Sequence, residues 1–106
     1  MTVVALLVFC VAAAFEVGGD AVIRTGLRGH RPLVTVVGML MLGVYGLVVN
    51  QLRWDFSRLL GAYVAVFALA SILFGRWVFG DRLPPSTLVG LALILAGGAV
   101  IQFGRP

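Results

Sequence analysis

A chain of 106 residues that is 61% hydrophobic and only 11% charged has room for one domain and is too apolar for an ordinary water-soluble one. Its formal charge of +4 resembles a nucleic-acid signal only on paper. There is no Lys, and the Arg residues stand scattered at the ends of apolar segments, where they anchor helices instead of forming a basic patch.

The first apolar segment, Val3–Ile23, is about the 20 residues that a helix needs to cross a bilayer. Ala12-Ala13-Ala14 resembles a signal-peptidase site, but no Lys or Arg precedes the run and it continues too far for a signal peptide, so a retained helix is expected. Cys10 lies inside this run, and as the single cysteine it cannot form an intrachain disulfide; a small packing residue is expected. Gly26–Pro32 has the Gly, Pro and charge content of a loop, and His30 within it reads as solvated. Leu33–Leu52 is the second span and contains Tyr45, followed by the polar break Arg53-Trp54-Asp55. Leu59–Phe79 is the third, with Arg76 near its end able to snorkel to the headgroups beside Trp77. Trp54 and Trp77 read as interface anchors. Gly80–Pro85 is a turn that no helix crosses, and Ser86–Phe103 is the fourth span, followed by Gly104-Arg105-Pro106.

Barrel strands are excluded because the runs lack alternation. The sequence therefore predicts an all-α integral membrane protein of four transmembrane helices, one domain over residues 1–106, with loops too short for any extramembrane domain. Arg53, Arg58 and Arg105 fall on one side and Arg24, Arg28, Arg31, Arg76 and Arg82 on the other, so the positive-inside rule gives no decisive vote. Both a simple orientation with the N-terminus outside and a dual topology with antiparallel pairing fit that balance. In the last span Gly90 and Gly97 are seven apart on one face with Gly98 beside them, the kind of small-residue surface by which helices associate in lipid. Four helices scarcely enclose a pathway and eight from two chains can, so an eight-helix homodimer is expected with Gly90 and Gly97 as its seam.

Glu16 is the one acid well inside a span. A carboxyl group at the bilayer centre costs about 2.5 kcal/mol or more, so it is kept where it faces a partner, a cavity or a cargo. Asp20 and Arg24 continue its helical face, Asp20 about 6 Å nearer the end of the span, and an interfacial ion pair between those two is the simplest reading. No basic residue of another span stands at the depth of Glu16. Its partner is then a proton, a bound cation, a hydroxyl or its own copy in a second subunit. Burial and a nearby like charge both favour the neutral form of a carboxyl group, which suits either a proton/cation exchange site or a permanently protonated hydrogen-bond donor. Ala12, Ala13 and Gly19 share the Glu16 face and Gly18 lies at its edge, leaving room for a neighbouring helix or a substrate. Tyr63 and Tyr45 are the groups able to hydrogen-bond a carboxylate and offer a ring face to a cation, although Tyr45 reads equally well as filler. One His without ligand-spaced neighbours makes no metal site, no cofactor motif is present, and no Ser-His-Asp set or phosphate loop can be assembled, so an enzyme is not expected.

The strings FEVGG at 15–19, FSRLLGAY at 56–63 and GLALILAGGAVI at 90–101 resemble the YnfA-like family of small bacterial inner-membrane proteins nearly end to end. The chain also looks like the related small multidrug resistance transporters. That likeness implies a dual-topology, proton-coupled exporter of small organic cations or guanidinium-like compounds in the inner membrane, with the site at Glu16 and Tyr63 and an antiparallel dimer seam at Gly90 and Gly97. The chain departs from the family pattern at Leu60, at Val64-Ala65, where a helix 3 hinge is implied, and at Asp20. A non-transporting membrane subunit or a lipid-handling, flippase-like partner is the alternative reading.

Overall fold

The computed structural model describes residues 2–104; Arg105 and Pro106, which enter the charge balance and the chain end above, lie outside the described residues. It contains four helices: α1 (Val3–Arg28), α2 (Pro32–Val49), α3 (Phe56–Val78) and α4 (Pro85–Phe103). All four are long and apolar enough to cross a membrane. They form two helical hairpins, α1 with α2 in Thr2–Leu52 and α3 with α4 from Arg53 onward.

The helix ends differ from the apolar runs for local reasons. Helix α1 continues past Ile23 to Arg28, because Arg24 and Arg28 end a hydrocarbon span without ending a helix. At its start the Thr2 hydroxyl accepts a hydrogen bond from the Ala5 N–H at 3.1 Å. At its end the Arg31 N–H reaches the Gly26 carbonyl at 2.8 Å and the His30 N–H the Leu27 carbonyl at 3.4 Å. These are the two bonds of a Schellman motif, with His30 at φ 53° in the left-handed position where Gly is usual. The loop is thereby reduced to Gly29–Arg31, and Pro32 opens α2. Helix α2 stops at Val49 and not Leu52, since Asn50 Nδ2 and Gln51 Nε2 fold back onto the Gly46 and Leu47 carbonyls at 2.8 and 3.1 Å. Helix α3 begins at Phe56, a turn before Leu59, with Asp55 as its N-cap residue. Beyond α3 the chain turns through Gly80 at φ 70°, and the Asp81 N–H donates to the Gly75 carbonyl at 3.0 Å.

Glycine sets the closeness of the first hairpin. A Cβ on Gly19 would lie 3.0 Å from the Gly38 carbonyl oxygen, and one on Gly38 would lie 2.8 Å from the Gly19 oxygen. A Cβ on Gly26 would meet the Thr35 nitrogen at 2.6 Å. Backbone thus approaches backbone along the seam, which maximises van der Waals contact where apolar lipid tails supply little drive for association. In the second hairpin the glycines instead receive side chains, Gly98 the Ala65 methyl and Gly61 the Ile101 side chain. Gly90 and Gly97 have nothing within 4 Å of a Cβ, so Gly98 closes the seam inside the hairpin and the other two glycines leave the α4 surface open.

Cys10 is exposed and does not pack internally. It shares the outward surface of α1 with Leu6, Leu7 and Val11. Large apolar side chains are exposed on every helix, among them Leu33, Leu47, Val64 and Leu93. Such a surface suits lipid as its solvent.

Candidate functional site

The register of the α1–α2 seam determines what stands beside Glu16. Gly26 meets Thr35, Ile23 meets Gly38, and Gly19 meets Gly38 and Leu42. One further turn along both helices brings Glu16 level with Tyr45. Both side chains are partly buried. Of the two tyrosines singled out from the sequence, Tyr45 is the one that shares a hairpin with Glu16.

The small residues around Glu16 have separate tasks. Gly19 is filled by α2, since its open side meets Gly38 and Leu42, and a Cβ on Gly18 would meet the Met41 methyl at 3.1 Å. Ala12 and Ala13 are buried, as is Phe9. The room expected beside Glu16 is therefore used at Gly19 by the partner helix of the hairpin. Asp20 and Arg24, one and two turns on, are exposed.

Tyr63 belongs to the second hairpin. It is 3% exposed, and its ring centroid stands 6.3 Å from that of Phe67. At the start of the same hairpin the Arg58 guanidinium stacks on the Trp54 ring at 4.3 Å, so Trp54 does more than anchor the interface. Arg58 Nε and Gln102 Oε1 are both buried without a hydrogen-bond partner. Gln102, in the last turn of α4, was not among the residues singled out from the sequence, where a polar residue at a helix end carries no signal of burial. Among the described residues no group of three or more His, Cys, Asp or Glu is placed to hold a metal ion.

Four long apolar helices in two hairpins, with a half-buried carboxyl group inside the first, define a multi-pass α-helical membrane protein. Residues 2–105 match the model of the family described as "Uncharacterised BCR, YnfA/UPF0060 family", and the chain belongs to that family. It is 41% identical to a UPF0060 membrane protein of Frankia casuarinae, over 94% of this chain and 93% of the relative. It is 37% identical to one of Mycobacterium marinum and 40% to one of Nocardia farcinica, each over 97% of this chain and 96% of the relative. No solved structure matches.

Proposed function

We propose that the chain is a proton-coupled exporter of small organic cations or guanidinium-like compounds, in which proton and substrate compete for Glu16. The observation that carries this reading is the half-buried Glu16 inside a membrane span, with Tyr45 level with it across a glycine-closed seam. A carboxyl group in that setting accepts a proton or a cation in turn, because two positive charges at one partly desolvated group repel. In this reading the Tyr45 hydroxyl hydrogen-bonds the carboxylate and its ring offers a face to the cation. Following the likeness to small multidrug resistance transporters, Tyr63 is assigned to the same substrate and Asp20 to the exposed approach.

The same proposal includes an antiparallel eight-helix homodimer in the bacterial inner membrane. Its support is the open surface at Gly90 and Gly97, where nothing in the chain lies within 4 Å of a Cβ and a small-residue surface is left for a second helix. The protein acts as a carrier and not as an enzyme. The test is purified protein in liposomes under an imposed pH gradient, with a panel of organic cations and guanidinium. Proton-linked uptake that vanishes in Glu16→Gln is expected. Absence of proton-linked flux for every compound, or flux unchanged in Glu16→Gln, would overturn the reading.

A further inference from the structure

The turn between α1 and α2 holds a second site, at the other end of the hairpin seam from Tyr45. An open hollow of about 450 Å³ lies there. Leu27, Pro32 and Val36 give it apolar walls, and His30, Arg31 and Thr35 its polar groups. The Schellman bonds fix its shape. Holding His30 in the left-handed conformation, they bring the Arg31 backbone back over the end of α1. The Arg31 side chain folds along the turn, its Cδ 3.5 Å from where a Gly29 Cβ would stand. The Thr35 hydroxyl is already committed, donating to the Arg31 carbonyl at 3.3 Å. The groups left to meet a ligand are therefore the Arg31 guanidinium and the His30 ring, with the exposed Arg28 next to them.

Two features select the ligand. The first is charge: between Asp20 and Asp55 the sequence has no acid, so nothing in this hairpin beyond Asp20 opposes the field of Arg24, Arg28 and Arg31. The second is depth: the hollow sits at the ends of the apolar spans of α1 and α2, with Leu27 and Val36 exposed beside the turn. Anion-seeking groups above an apolar wall at headgroup level match a molecule that carries a phosphate on a hydrocarbon chain. We propose that this hollow binds an anionic phospholipid, its phosphate on Arg31 and His30 and the start of one acyl chain along Leu27 and Val36. The proposal stands apart from transport, since it uses neither Glu16 nor Tyr45.

The test is native mass spectrometry of the full chain, released from nanodiscs holding equal amounts of phosphatidylglycerol and phosphatidylcholine with the same acyl chains. The wild type is expected to keep phosphatidylglycerol preferentially, Arg31→Gln to lose at least fivefold of that retention, and Arg53→Gln, at the opposite end of α2, to keep it. Val36→Ala, which shortens the apolar wall and leaves every charge in place, is expected to lower retention two- to threefold and covers the case in which Arg31→Gln fails to fold. Equal retention of the two lipids, equal loss in Arg53→Gln, or no loss in Val36→Ala would overturn the proposal. So would complete displacement of the lipid by millimolar inorganic phosphate, which would reduce the site to one for free anions.

Discussion

Replacing Gly38 by Ala tests the hairpin seam on which the Glu16–Tyr45 pairing depends. The new Cβ would lie 2.6 Å from Ile23 Cγ1, 2.8 Å from the Ile23 nitrogen and 2.8 Å from the Gly19 oxygen. Two of these three atoms are backbone, so a rotamer change does not relieve the clash. Reaching an ordinary 3.4 Å contact requires α1 and α2 to part by about 0.6 Å along much of the seam. Forcing extra atoms into a close-packed contact costs about 1–3 kcal/mol. Against this, Ala is the better helix former by about 0.5–1 kcal/mol. The expected net loss is about 1–2 kcal/mol. Gly43→Ala, on the same helix with nothing within 4 Å of the new Cβ, isolates the propensity term and should gain about 0.5–1 kcal/mol. The assay is reversible unfolding of both variants by sodium dodecyl sulfate titrated into mixed micelles, followed by circular dichroism. Equal stability of the two alanine variants would refute the close approach of α1 and α2 at Gly38, and with it the register that places Tyr45 beside Glu16.

Tyr45→Phe keeps the ring and removes the hydroxyl from beside Glu16. A hydrogen bond to a charged group is worth about 1.5–3 kcal/mol, so cation affinity in the liposome assay should fall about tenfold or more, with folding retained. No change in affinity would remove Tyr45 from the site. His30→Gly relieves a left-handed conformation that costs an L-residue about 1–2 kcal/mol, part of which returns through the greater freedom of Gly in the unfolded chain. A rise in thermal midpoint, measured in detergent free of phospholipid, is expected from a net gain of about 0.5–1 kcal/mol. Gln102→Leu replaces a 6% exposed side chain whose Oε1 has no partner, and should stabilise the chain by about 1 kcal/mol; destabilisation would show that Oε1 is bonded in the membrane.

The four spans were legible because the bilayer imposes a length on them and because Gly80–Pro85 and Arg53-Trp54-Asp55 interrupt hydrocarbon unmistakably. Helix ends were less so. Apolar composition marks where lipid stops, whereas caps and side-chain bonds decide where a helix stops, as at Arg28 and Val49. Glu16 stood out because an acid in a span is costly. The position of Tyr45 level with it was hidden, since the pairing depends on which glycines of α1 and α2 meet, and nothing in the sequence distinguishes Gly38 from Gly43 and Gly46. The same ambiguity concealed Gly98 as the residue that closes the second hairpin. Single helices show which faces are small, and only the pairing shows which small face is used.

The three-residue turn has a consequence for biogenesis. Its three amide groups are tied into the end of α1, the Arg31 carbonyl accepts from Thr35 in α2, and Pro32 starts α2 at once, so the turn leaves little slack between the two helices. Leaving α2 behind would strand an 18-residue apolar helix in water. Thr2–Leu52 is therefore expected to insert as one hairpin, with Arg28, His30 and Arg31 kept together on the side the turn reaches. The tight turn couples the orientation of α2 to that of α1, so the first hairpin is expected to orient as a unit.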